Sequence, residues 1–423
     1  MAKRYSSLAA REARLAFWML TPAFLIVAAI ILFPVAANFW ISFKSVGLGD
    51  LRAPVPIVRE QVTSQPRAAG DELVVVLRAR NSSREWPLQT VTIRATLPPG
   101  AEPHTLGPEW RLERNRLIGE FGTWEGGHIQ DIELSFTVTE EFLRSDVNPR
   151  APLEVSATAR SRNALTSLDF TLDNFRFVIS AREFTSALIT SFVYPFFGAF
   201  WSILFGLCAA QLLNRKFPGQ GTLRGLFLFP YVAPVIAVAF AWVFFLDPFS
   251  GTVNLLAVDW GVLSAPVSFL SERNTTVSLF GLSLRVPLAL TTVIMFDGWR
   301  YFPFSFLFLL ARLQAIPSEL YESADVDGAG TFRKFSAITL PQLRGVIATL
   351  FLLRFMWTFN KFDDVFLLTG GAAGTRTLPI QVYDNAFGRG NIGAGSATAV
   401  ILFVFLAVFM LIYFRAVREV ADE

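Results

Sequence analysis

The sequence of 423 residues predicts an α-helical membrane bundle of six spans, with an all-β domain inserted after the first. Three observations carry that expectation. The composition is 53% hydrophobic with 43 Phe and only 17% charged, against about 25% in an average globular chain. The charge is also unevenly placed: residues 44–183 hold 36 of the 71 charged side chains, leaving 71 − 36 = 35 for twice as many other positions. Finally, the hydrophobic pattern is continuous over helix-length runs outside that block and alternates within it. A net charge of 37 − 34 = +3 gives no argument for a nucleic-acid partner, and 1 Cys with 2 His excludes a disulfide framework or a metal cluster. No Gly-x-x-x-x-Gly-Lys-Ser/Thr phosphate loop occurs, and residues 328–334 lack its spacing. The chain is therefore expected to have no catalytic residue, no bound cofactor and no metal.

Each span follows from length and charge, because a bilayer core takes about 20 apolar residues of helix. Windows 15–43, 184–214, 225–246 and 390–414 contain no charged residue. Window 287–311 is interrupted by Asp297 and Arg300, and 345–368 by Arg354, Lys361, Asp363 and Asp364. The first window follows Lys3, Arg4, Arg11 and Arg14 as a signal peptide would, but it is too long for an h-region and contains Pro22 and Pro34. It is read as a retained span. Basic residues gather at the N-terminus, at Arg215, Lys216 and Arg224, at Arg312, Arg333, Lys334 and Arg344, and at Arg415 and Arg418. With six spans these all fall on one side, the cytoplasm by the positive-inside rule. The expected order is a cytoplasmic N-terminus (1–14), the first span (15–43), an extracytoplasmic β-domain (47–171), five further spans (184–417) enclosing a cytoplasmic loop (313–343), and a cytoplasmic tail (418–423). Cys208, in the second span, is expected to be a small packing residue.

In the insert, Val91, Ile93, Ala95 and Leu97 alternate with polar residues; so do Ile132, Leu134, Phe136 and Val138, and Leu153, Val155, Ala157 and Ala159. This is the period of half-buried antiparallel strands. Turn signals at Asn81-Ser82-Ser83, Pro98-Pro99-Gly100 and Gly126-Gly127 separate the runs. About seven strands are expected, in a sandwich that resembles immunoglobulin-like modules. His104 and His128 sit in or beside turns without a nucleophile or ligand spacing, so a docking or stabilising module is expected rather than an enzyme.

The loop after the fourth span runs from Ala315 to Pro341. Ser318 is placed to cap a helix with Glu319 in its first turn, ending at Gly328. A second short helix is expected from Thr331, with Phe332, Phe335 and Ile338 on one side, stopping before Leu340-Pro341. Two amphipathic helices at a glycine elbow make a rigid projection able to transmit force. The stretch closely resembles the EAA loop of binding-protein-dependent ABC importers of the type I class: Glu322, Ala324, Asp327, Gly328, Ala329, Phe335, Ile338, Leu340 and Pro341 match, and Ser323 replaces the first Ala. The resemblance implies a permease whose knob enters a cleft of an ATPase, with Glu322, Ser323, Ala324, Asp327, Gly328 and Ala329 coupling the two. Leu172-Asp173-Asn174-Phe175, Phe302-Pro303-Phe304, and Trp357 to Asp363 followed by Leu368-Thr369-Gly370-Gly371 resemble the larger permease of the maltose type. That subunit also carries a β-rich domain between the first two spans of its six-span core, after two extra leading spans that have no counterpart here. The implied partners are an ABC ATPase dimer holding ATP and Mg, a second permease, an extracytoplasmic solute-binding protein, a carbohydrate and the lipid bilayer of a bacterial inner membrane, with no nucleic acid.

Charges inside spans cost about 2.5–3.5 kcal/mol each and so face a partner or a water-filled path. Asp297 and Arg300, three residues apart, are placed to pair locally. Alignment to the maltose type implies sugar contacts at Arg300, Tyr301 and Phe304, and at Arg354, Trp357, Thr358 and Lys361: aromatic rings stack on a sugar and the polar groups bond its hydroxyls. The three basic residues suit an anionic sugar, unless Asp297, Asp363 and Asp364 neutralise them. An ion-coupled secondary transporter would show inverted repeats, and none is seen; a membrane-anchored sensor with a β ligand-reading domain would need neither six spans nor this loop.

Overall fold

A computed structural model describes residues 7–148, 150–279 and 282–421, arranged as two compact units: Met1–Asn174 with Ala386–Gly393, and Phe175–Asn385 with Ala394–Glu423.

The first unit begins with an apolar helix, Ser7–Val27, continued through a widened turn at Ala28–Leu32 into Phe33–Ser42. The π turn falls just before Pro34, which lacks the N–H that an α-turn would use and whose ring would crowd the carbonyl of Ile30. The 32 residues Arg11–Ser42 are long and apolar enough to cross a membrane, and their most apolar stretch is not covered by protein. Beyond it lie eight strands: β1 (Pro56–Ser64), β2 (Glu72–Asn81), β3 (Leu88–Thr96), β4 (Ala101–Thr105), β5 (Trp110–Glu113), β6 (Arg116–Trp124), β7 (Ile129–Val138) and β8 (Glu154–Ser161). They form two antiparallel sheets ordered β1-β2-β7-β4 and β5-β6-β3-β8. The alternation in the sequence sets which face each strand buries. Leu73, Val75 and Leu77 of β2 and Leu134 and Phe136 of β7 meet Val91, Ile93 and Ala95 of β3 and Leu117 of β6 in one core. The short edge strand β5 is too brief to show alternation. His104 lies on β4, and His128 stacks on Trp124 with ring centroids 5.0 Å apart.

Where the first helix gives way to this region, buried Lys44 needs partners, and finds them at the carbonyls of Ser167 and Asp169 (2.9 Å for the latter), with its ammonium over the Phe170 ring. Asn174 donates to the carbonyls of Ser42 and Lys44, tying the end of the insert to its start.

The second unit is built on helices Phe184–Leu213 and Leu288–Gln314, which approach closely through small residues. A Cβ on Gly206 would lie 2.7 Å from Ser305 Cβ and 2.8 Å from the Phe306 backbone nitrogen; one on Gly198 would strike Asp297. Ser202 and Ser305 exchange a hydrogen bond of 3.0 Å across this seam. Cys208 is exposed on Phe184–Leu213 rather than packed, because the crossing uses the face carrying Ser202, Gly206, Ala209 and Ala210.

The apolar segment at 225–246 is not one straight helix: Gln220–Val232 and Val235–Phe245 meet at 92°. Pro234 denies Ala233 the helical conformation, and Ala233 is extended at ψ 143. The fifth apolar helix also departs from expectation. It runs unbroken over Thr331–Phe359, through Leu340-Pro341, by widening to a π turn at Phe335–Thr339 that frees the Ala337 carbonyl from the Pro341 ring. A short helix, Asp363–Thr369, follows, and Ile392–Ala416 is the last helix apolar enough to span.

Candidate functional site

Two arrangements in the second unit gather the residues singled out in the sequence. Within the bundle, Asp297 is fully buried, at the point where Gly198 leaves room for its carboxylate. It does not pair with Arg300. The carboxylate is aimed across the bundle, where Arg354 Nη2 donates to Oδ2 at 2.7 Å and Lys361 Nζ lies 3.8 Å from Oδ1. Thr358 (3.4 Å) and Tyr194 (3.5 Å) donate to Oδ1. Lys361 also faces Asp364 Oδ2 at 2.5 Å, a contact of charges rather than an aligned hydrogen bond. Thus two cations meet two buried carboxylates, as low-dielectric surroundings require.

Tyr301 is the hub of this cluster. Arg354 Cζ is 4.0 Å and Lys361 Nζ 3.7 Å from its ring centroid, Arg300 Cζ is 5.6 Å away, and its hydroxyl accepts from both Lys361 and Arg300. Arg300 differs from its neighbours. No carboxylate reaches it among the described residues: its Nη2 donates to the Ala233 carbonyl at the bend of the third apolar segment (3.3 Å), and its Nη1, like Arg354 Nε, is buried without a partner there. Phe304 and half-exposed Trp357 form an adjoining aromatic pair with centroids 5.1 Å apart. All seven sequence-selected residues of the fourth and fifth spans therefore come together. Tyr194, which completes the Asp297 shell, was missed; a lone phenol in an otherwise charge-free span was the available signal.

The second arrangement is the projection. Helix Ser318–Val326 starts at Pro317, and Ser318 makes no cap: its residue already lies inside the helix, and the Pro317 conformation opens the first turn. The helix closes in a Schellman motif, with Ala329 N–H bonding Ala324 O (2.8 Å) and Gly328 N–H bonding Asp325 O (3.1 Å). The motif needs a left-handed residue, and Gly328 supplies φ +72. Lys334 Nζ to Asp325 Oδ1 at 2.5 Å and Tyr321 OH to Thr339 Oγ1 at 2.9 Å lock the elbow. Glu322, Ser323, Asp327 and Gly328 are exposed, and Ala324 and Ala329 are half-buried beside them. At the tip two apolar side chains stand in the open, Val326 at 89% and Phe332 at 82% exposure.

Several apolar helices around a desolvated charge cluster, together with a rigid exposed elbow, define a membrane transport subunit. The chain belongs to the family described as binding-protein-dependent transport system inner membrane components, whose model matches residues 202–421. It is 34% identical over 248 residues to the trehalose/maltose transport system permease protein MalF of Thermococcus litoralis, covering 58% of this chain and 79% of that one. It is 30% identical over 284 residues to the trehalose transport system permease protein SugA of Mycobacterium tuberculosis, covering 64% and 86%. It shares its helical fold with a chain from the crystal structure of a bacterial ABC transporter involved in the import of the acidic polysaccharide alginate (TM-score 0.52, 20% identity, 60% of this chain and 86% of that one). The helical core is thus a type I ABC importer permease, and the chain is a permease subunit rather than an enzyme, the ATPase residing on a separate subunit.

Proposed function

We propose that the chain passes a carbohydrate, delivered by an extracytoplasmic solute-binding protein, across a bacterial inner membrane with a second permease subunit. The relatives that transport trehalose or maltose support the cargo class. The observation that carries the coupling half of this reading is the elbow at Gly328, whose uncovered Val326 and Phe332 suit the cleft of a partner. An ATPase dimer holding ATP and Mg closes, the elbow moves with it, and the bundle rocks; Glu322, Ser323, Ala324, Asp327, Gly328 and Ala329 form the contact. The sugar passes Tyr301, Phe304 and Trp357, which offer aromatic faces, with Arg300, Arg354, Thr358 and Lys361 beside them. Both termini and the 313–343 loop lie in the cytoplasm. Residues 47–171 lie outside as an immunoglobulin-like sandwich, a reading supported by their two four-stranded sheets over one core.

The test is reconstitution of the full importer in vesicles. ATP-dependent uptake of a disaccharide that requires the binding protein is the expected result. Uptake that persists without ATP and follows an ion gradient would favour a secondary transporter instead.

A further inference from the structure

Among the described residues, the ion pairs within the bundle leave Arg300 over. Arg354 and Lys361 are matched by Asp297 and Asp364, whereas Arg300, only 7% exposed, has no carboxylate within pairing distance among the described residues and one guanidinium nitrogen without any acceptor. A buried guanidinium in that condition is costly unless an acceptor arrives.

A second observation points the same way. Two adjoining cavities of about 590 and 480 Å³ share Arg182, Ser186, Arg273 and Gly374 in their walls. Arg376, in the larger, is already held by Glu183 and, at 2.7 Å, by Asp384. Arg182 and Arg273 have no such partners among the described residues, and no carboxylate lines the smaller cavity. Its wall includes Thr190, and Tyr194, four residues on, reaches Asp297. One helical turn, about 6 Å of rise, therefore separates the arginine-lined cavity from the shell of the charge cluster.

We propose that the cargo bears an oxyanion, a carboxylate, sulfate or phosphate on the sugar, which Arg182 and Arg273 attract and Arg300 receives. This rests on the carbohydrate-permease reading and narrows it. Arg354 and Lys361 hold the site's shape, since their charge is spent within the protein, and Arg300 alone discriminates. The unpartnered Nη1 of the guanidinium donates to such a group, and Tyr301, whose hydroxyl accepts from Nε, keeps it from turning away.

The experiment uses the assembled importer in vesicles with digalacturonate, a monosulfated disaccharide and a disaccharide phosphate, each against its neutral parent. Acidic members should stimulate ATP hydrolysis and be taken up. Arg300→Gln should lower that uptake at least about tenfold, the loss of one charge-assisted hydrogen bond, with Arg300→Lys recovering part of it. The exposed double variant Arg182→Gln/Arg273→Gln, which leaves the buried cluster intact, should raise the half-saturating concentration roughly threefold at low salt, and the difference should vanish near ~0.5 M NaCl. Stimulation by neutral parents alone would overturn the inference and leave the carbohydrate reading standing, whereas stimulation by none would sink both. Arg300→Gln that transports acidic sugars normally, or that instead loses the second permease on purification, would also overturn it.

Discussion

Replacing Asp297 by Asn tests whether the buried cluster holds the bundle together. The substitution keeps shape and removes one charge. At 2.7 Å from Arg354 and 3.8 Å from Lys361, and with an effective dielectric of about 20, the carboxylate gains about 6 and about 4 kcal/mol of gross attraction. Much of this offsets desolvation, so the intact pair contributes little net stability. Removing one partner is another matter, because the 1% exposed Arg354 is then left buried beside a neutral amide. The expected loss is about 3–5 kcal/mol. The second variant, Asp297→Asn/Arg354→Met, removes the stranded charge and should recover most of that loss, giving a large coupling energy in the double-mutant cycle. The assay is denaturant unfolding of the purified chain in detergent, followed by tryptophan fluorescence. A single-variant loss below about 1 kcal/mol, or additive effects of the two changes, would mean that water screens the cluster and that the burial argument is wrong.

Three further outcomes follow from local geometry. Gly206→Ala places a methyl 2.7–2.8 Å from Ser305 Cβ and the Phe306 nitrogen, so the two central helices must part; a loss of about 1–3 kcal/mol is expected in the same unfolding assay, and an unchanged midpoint would refute close packing there. Gly328→Val has nothing within 4 Å to strike, yet it forces a branched residue into φ +72, a strain of about 1–2 kcal/mol confined to the elbow. Uptake should be abolished while the complex still assembles, and wild-type uptake would count against the elbow as the coupling element. Glu60 accepts from the Leu153 N–H, but burial outweighs that bond and holds its carboxyl above the usual range. The protonated form is thus favoured on folding, so its contribution is fully present below about pH 4 and is lost as pH rises through the folded value. Glu60→Gln should raise the melting temperature of the β-region at pH 7 and change it little near pH 4; equal shifts at both would refute the assignment.

The periodicities were readable because each is a local property. Residues 91–97 and 132–138 alternate, and the structure buries the predicted partner of each pair; the apolar windows became helices because no backbone group in them has another way to be satisfied. What failed were inferences about helix ends. Ser318 looked like a cap and Leu340-Pro341 like a stop, yet Pro317 opens the first helix and a π turn carries the second past Pro341. Pro317 acts through its own backbone conformation and Pro341 through the Ala337 carbonyl four residues earlier, and composition reveals neither.

The charge partners mark the deeper division. Sequence alone determined that Asp297, Arg300, Arg354 and Lys361 must find company inside an apolar bundle, since charge in hydrocarbon is costly wherever the helices go. It also determined the elbow, whose Gly328 answers to a backbone conformation within a few residues. Which charge meets which was decided only by tertiary structure. Helical spacing favoured Asp297 with Arg300, but the glycine crossing at Gly198 and the approach of a helix 57 residues away gave the carboxylate to Arg354. A side chain's neighbours along a helix follow from its period, whereas its neighbours across a crossing depend on how closely two backbones can approach. That closeness left Arg300, inside the bundle, without a carboxylate partner among the described residues.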